Sequence, residues 1–267
     1  MLELDNNVLH HRNMAENNAE RRMIELGATR KHQLKTYYAN NPVLFEIEKE
    51  YGKYFYVPLD IPKFKFNDLG KFLEWWNLNN TVIGKDDVGP ADDYYGAVSF
   101  KSIDIVSGFA ETNKTADFIE LFPEILEQMR DYLPYTNMFS TNIWSSNKAT
   151  PEHRDALEYV DAPGTFRIML HDENPDPTLY LVENPLNPLK FEEAKFIPRL
   201  EDTNTFAWNN LRCMHGSTYD PAYNKYLVIL IGLMDIKKYQ DLLERSVSKY
   251  KDHCMISKHS IENFLHV

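Results

Sequence analysis

From residue 136 to residue 234 the period of the chain changes from helical spacing to two, and the short strand-like runs that result narrow the folds open to it more than any other feature. The runs NMFSTNIWSS, GTFRIMLHD, PTLYLVEN, AKFIPRLE, TNTFAWNN and KYLVILIGLM are short and rich in β-branched and aromatic residues. Pro, Gly, Asn and Asp separate them. Successive side chains of a strand point to opposite faces, so short runs at even spacing predict an antiparallel β-sandwich or jelly roll. Helical spacing governs the flanks. Ile119, Phe122, Ile125, Leu126 and Met129 make one apolar face of residues 115–134, with Pro123 set to kink or divide the helix. Leu69, Phe72, Leu73 and Trp76 mark a second amphipathic helix, and DIKKYQDLLERSVSKYK a third. Residues 1–50 read as a polar helical extension packed on the core or offering a dimer contact. Residues 51–267 read as one domain.

The bulk numbers exclude several function classes. A net charge of −11 argues against gripping phosphate backbones by charge, and hence against a nucleic-acid partner. Two cysteines, Cys213 and Cys254, cannot build a disulfide framework and lack the paired spacing of a zinc ribbon. The N-terminus has no apolar stretch of signal-peptide length, and the longest apolar run, residues 226–234, is too short to span a bilayer. A soluble, cytoplasmic protein is the expectation.

The chemistry lies in a spaced set of histidines, one carboxylate and two cations. His153 and Asp155 stand two apart, and on an extended segment such residues share a face. Alone, His-x-Asp more often marks a solvated charged turn. His215 follows 62 positions later, read as a strand end beside Gly216. Two imidazoles and one carboxylate on one face of an octahedral ion leave positions open for a chelating cosubstrate and oxygen. Lys225, ten residues after His215, and Arg167 are cations on otherwise apolar strands, where burial is costly without an anion. His171 closes the run GTFRIMLHD. It is open to three readings: outer hydrogen-bond partner, substrate contact or plain strand end. Asn142, Trp144 and Trp208 stand on strand candidates, as pocket lining or plain core.

Together these stretches resemble the Fe(II)- and 2-oxoglutarate-dependent oxygenases, and within them the aspartyl/asparaginyl β-hydroxylase-like branch. The resemblance covers residues 116–234. It rests on the helix FPEILEQMRDYLP, the strand TNMFSTNIW, the loop TPEHRD, the Arg-bearing GTFRIMLHD and the stretch TNTFAWNNLRCMHGSTYD with a basic residue ten beyond its histidine. It implies a double-stranded β-helix (jelly-roll, cupin-like) core flanked by helices, an α+β class. It also implies Fe(II) held by His153, Asp155 and His215, and 2-oxoglutarate held by Lys225 or Arg167, with Asn142 and Trp144 near the cosubstrate. O2 would be the oxidant and ascorbate a reductant. The activity implied is hydroxylation of a C–H bond with release of succinate and CO2. Two departures are visible. Animal members of the branch have glycine where this chain has Asp155, and the late cation is usually arginine where this chain has Lys225. Lysine offers a point charge rather than a bidentate fork. The acidic run DDVGPADDYY suggests a basic or zwitterionic amino acid or peptide as substrate. Two other classes remain open: a catalytically silent jelly-roll binding or scaffold protein, and a cupin-like metalloenzyme that uses no 2-oxo acid.

Overall fold

The period-two segments form strands, and the strands divide into two sheets. The structure is a computed structural model. It describes residues 42–79, 81–83, 95–104, 109–110, 113–146, 150–153, 164–183, 193–209, 212–218 and 223–258. Residues 1–41, residues 84–94 with all but the last residue of the acidic run, Asp155 and the segment 259–267 lie outside that set. In chain order the elements begin with α1 (Pro42–Tyr51), β1 (Tyr54–Pro58), α2 (Leu69–Asn79), β2 (Thr81–Ile83), β3 (Tyr95–Asp104) and β4 (Phe109–Ala110). Next come α3 (Asn113–Leu121), α4 (Pro123–Tyr132), β5 (Tyr135–Ser146), β6 (Thr150–His153), β7 (Gly164–Asp172) and β8 (Leu179–Glu183). The chain continues through β9 (Lys195–Phe196), β10 (Thr205–Asn209), β11 (Cys213–Ser217), β12 (Lys225–Met234), α5 (Ile236–Lys249), a 3-10 turn (Lys251–His253) and β13 (Met255–Ile256).

The larger sheet runs β13-β1-β10-β7-β12-β5-β3-β2, with β4 beside β3, and the smaller runs β6-β11-β8-β9. Among the described residues every strand pairing is antiparallel. From β5 to β12 the chain passes back and forth between the sheets, with β8 and β9 the one hairpin kept within a sheet. The alternation along each strand explains the layers. On β7, Phe166, Ile168 and Leu170 join a core that also holds Phe72, Trp76, Ile125 and Leu242 from the helices and Phe122 from the junction of α3 and α4. The other face of the same sheet supplies Met169, Phe206, Trp208 and Leu227, which pack with Leu181 and Cys213 of the smaller sheet. Phe72 stacks on Phe66 with centroids 4.2 Å apart and meets Tyr226 edge-on at 5.4 Å. Full burial of each such side chain contributes about 1.5–3 kcal/mol.

Pro123 divides the helix at 115–134 into α3 and α4, and sits in the first turn of α4, where its missing N–H costs nothing. The run AKFIPRLE shrinks to the two residues of β9, because Pro198 has no N–H to continue a ladder. Helix α1 ends against a close approach. Gly52 donates its N–H to the Glu48 carbonyl at 2.8 Å, and a Cβ at Gly52 would overlap both that oxygen and the Glu48 carboxylate. Gly52→Ala is therefore expected to cost about 1–3 kcal/mol, read as a lowered midpoint in a urea melt.

Candidate metal and carboxylate site

His215 stands in the middle of β11, not at the end of the preceding strand as its sequence context suggested. All five residues of β11 are buried, so the segment has no polar–apolar alternation to announce a strand. Its neighbours are β8 on one side and β6 on the other. The β11–β6 register sets His215 directly opposite His153, and the β11–β8 register sets it opposite Leu181. Directly opposed residues of an antiparallel pair occupy one face. Leu181 and Cys213, the neighbours of His215 in that face, belong to the cluster between the sheets. The His215 imidazole is 8% exposed, with its ring centroid 4.5 Å from that of Trp208. His153 is the last residue of β6, where the backbone alone is described, and Asp155 follows outside the described residues. Among the described residues no group of three His, Cys, Asp or Glu side chains stands together as a metal cage.

Both candidate cations are buried. Arg167 is fully buried on β7, and its guanidinium carbon lies 4.2 Å from the Trp208 ring centroid. Trp208 thus touches both Arg167 and His215. Such a cation over an indole face gains about 2 kcal/mol when desolvated. Lys225 opens β12 opposite Ser146 of β5 and Asp172 of β7. It is 6% exposed. Burial lowers its pKa from 10.5 to about 8, against a smaller opposing pull from Asp172. Asp172 is engaged by Arg199 at 2.7 Å. Among the described residues no hydrogen bond or ion pair reaches the Lys225 ammonium.

Strand register relates the cations to the remaining candidates. Asn142, Ile229, Arg167 and Phe206 form one cross-strand row, and Trp144, Leu227 and Met169 form the next. Asn142 and Trp144 therefore occupy backbone positions in the rows that carry Arg167 and Met169; their side chains lie outside the described set. Ile229 lies four positions after Lys225, roughly 13 Å along a strand. His171 is the penultimate residue of β7, with its ring stacked at 6.1 Å on Tyr226 and its Nε2 3.9 Å from the Glu173 carboxylate. It also lines a cavity of about 210 Å³ that includes Met169, Phe206 and Arg199.

A buried ionic cluster beneath the β10–β11 turn was missed from the sequence. Glu48 of α1 is 2% exposed and accepts from Arg212 Nε at 3.1 Å. The Asn209 amide donates to both Glu48 carboxylate oxygens, at 3.1 and 3.0 Å. Burial raises the Glu48 pKa to about 7, with Arg212 and Asn209 pulling it back down. Breaking such a pair by removing one partner costs about 3–5 kcal/mol. The one local signal was an arginine between Leu211 and Cys213, an apolar setting that points to burial. Its partner lies 164 residues away, beyond the reach of any spacing rule.

No family model matches the chain, and no curated protein matches it. Solved structures with some similarity include an oxidoreductase of the 2OG-Fe(II) oxygenase family from Burkholderia pseudomallei. It is 12% identical over 62% of this chain and 81% of that one, with a TM-score of 0.39. A Trichoplax adhaerens prolyl hydroxylase in complex with a hypoxia inducible factor peptide fragment is 10% identical, covering 77% and 94%, with a TM-score of 0.39. A Pseudomonas putida prolyl-4-hydroxylase is 7% identical, covering 72% and 100%, with a TM-score of 0.36. Among the described residues no helix is long and apolar enough to cross a membrane.

Proposed function

We propose that this chain is an Fe(II)- and 2-oxoglutarate-dependent oxygenase built on a jelly roll, with its iron held by His153, Asp155 and His215. The observation that carries the reading is the β11–β6 register, which sets positions 215 and 153 opposite one another although 62 residues separate them. The jelly-roll assignment draws support from the chain's passage between two antiparallel sheets from β5 to β12. The donor types suit the group: two imidazole nitrogens and one carboxylate oxygen leave half of an octahedral shell for other ligands. Bound there with 2-oxoglutarate, iron supplies the oxidising power to hydroxylate an unactivated C–H bond with release of succinate and CO2.

The protein's own residues do the positioning. Lys225 would hold the far carboxylate of the cosubstrate. Its buried ammonium is disfavoured by desolvation, and an arriving carboxylate would relieve that cost. Arg167 suits that role less well, because its guanidinium already lies over the Trp208 ring. We assign Arg167 and Trp208 to packing beside His215, and Asn142 and Trp144 to the pocket wall. The inter-sheet cluster around Phe206, Leu181 and Cys213 would exclude water from the reacting centre. The substrate is proposed to be a basic or zwitterionic amino acid or peptide, on the strength of the acidic run at 86–95 and the net charge of −11. The sequence motifs support a place near the aspartyl/asparaginyl β-hydroxylase-like branch, with Asp155 keeping the full triad.

The test is direct. Purified protein is incubated with Fe(II), ascorbate and 2-oxoglutarate, and succinate is followed by mass spectrometry. In parallel, Tm is measured with Mn(II) and 2-oxoglutarate under anaerobic conditions. Slow uncoupled succinate formation is expected, with a ligand-dependent stabilisation of about 2.7 kcal/mol at a ligand concentration 100 times Kd. No succinate and no rise in Tm would overturn the reading.

A further inference from the structure

The cluster of Glu48, Asn209 and Arg212 lies outside the site itself, yet it grips the turn that delivers His215. Asn209 ends β10 and Cys213 begins β11, so the turn between the two strands contains Arg212. The Asn209 carbonyl accepts from the Arg212 N–H at 3.0 Å and from the Cys213 thiol at 3.2 Å. The Asn209 side chain and the Arg212 guanidinium both turn to the Glu48 carboxylate. Glu48 is in turn fixed from behind. Its neighbour Ile47 is buried in the helix-side core, and Gly52 closes on its main-chain carbonyl with no room for a Cβ. The three polar residues are 2%, 5% and 2% exposed, so water cannot substitute for a lost partner without opening the core.

Strand register is where such a grip matters. Moving a strand by one residue against its neighbour sends every side chain to the opposite face. The ladder of β11 with β6 shifts between His215 and Ser217, whereas that with β8 runs unshifted from Cys213 to Ser217, so the pairing with β6 is the one that needs further support at His215. His215 lies three positions after Arg212, about 10 Å of extended chain. We infer that Glu48 is a positioning residue: by holding Arg212 and Asn209 it sets the start of β11, and so holds His215 opposite His153. The inference rests on the reading of His215 and His153 as metal ligands, and it assigns helix α1 a part in metal binding.

Two variants test it. Glu48→Gln keeps the shape of the side chain and an acceptor for Asn209 but removes the charge facing Arg212. Glu48→Met combined with Arg212→Met removes both buried charges, a change that folded proteins commonly tolerate. The probe is Co(II) alone, titrated anaerobically well below Tm and read through its visible ligand-field bands. Both variants are expected to bind Co(II) 10- to 100-fold more weakly than the wild type, with altered band positions. Hydrogen exchange supplies a metal-free readout: the amides of 213–217 are expected to exchange faster while those of β12 keep their protection. Should Glu48→Gln fail to fold, the double variant carries the test. Wild-type affinity and spectrum in the folded variants would overturn the inference, as would faster exchange spread evenly over both sheets. A wild-type chain that binds no Co(II) would overturn the oxygenase reading and this inference together. Equal binding by wild type and variants would overturn this inference alone.

Discussion

In a His215→Ala variant, succinate formation from 2-oxoglutarate is expected to fall to the level of free iron in buffer, and His153→Ala should do the same. Each change removes one imidazole from a site where, on this reading, two imidazoles and a carboxylate hold the metal. Loss of a hydrogen-bond partner outside the ligand set commonly costs 10- to 100-fold in affinity or activity, and loss of a ligand should cost more. Met214→Leu provides the control on the same strand. Met214 is 6% exposed and adjoins His215, so its replacement tests general disturbance of β11. Leu and Met exchange at under about 1.5 kcal/mol, so Met214→Leu should keep most of the turnover. If all three variants lose activity alike, the loss reports damage to the sheet and the ligand assignment fails. If the histidine variants keep their turnover, iron is held elsewhere.

Lys225 should show the opposite relation between stability and function. Its pKa is lowered from 10.5 to about 8 because burial disfavours the charged form. The linkage follows from that direction. Above pH 10.5 lysine is neutral in both folded and unfolded chains, and the group costs the fold nothing. As pH falls from 10.5 toward about 8 the unfolded chain takes up a proton that the buried amine does not, so stability is lost across that window, and the full cost stands below about 8. Lys225→Met should therefore leave Tm near pH 7 unchanged or raise it, since an apolar chain of similar length replaces a buried charge. The same change should weaken 2-oxoglutarate binding by about 2 kcal/mol or more, roughly 30-fold in Kd. Affinity in the wild type should decline above about pH 8, where the free protein loses the ammonium. Lys225→Arg should flatten that decline, because guanidinium stays charged. Isothermal titration across pH 6.5–9.5 reads all three chains. A Kd unchanged in Lys225→Met would move the anchor to Arg167 or another group.

Much of the fold could be read along the chain. The runs at 164–172 and 225–234 coincide with β7 and β12, and Pro123 divides a helix where its chemistry requires. These succeeded because a strand covered by helices on one face and by a second sheet on the other is a long, largely apolar run, and turn-forming residues bound it. The two strands that carry the histidines did not. β6 reads TPEH, and its proline suits a loop as well as a strand. β11 reads CMHGS and is buried throughout, so periodicity is silent there. Arg167 was legible as a cation on an apolar strand, but its place over Trp208 was not, since that contact joins β7 to β10.

Sequence alone therefore determined the alternation that makes two-faced strands, the breaks between them, and the presence of His153, Asp155, His215 and a late lysine at suggestive spacing. Those are local properties, set by side-chain chemistry and by the period of an extended chain. Tertiary structure alone decided that position 215 faces position 153, that Lys225 is buried deeply enough to lose much of its basicity, and that Glu48 reaches Arg212 across 164 residues. Pairing and desolvation depend on which strands lie side by side and on what covers them, and no residue encodes its neighbour across a sheet.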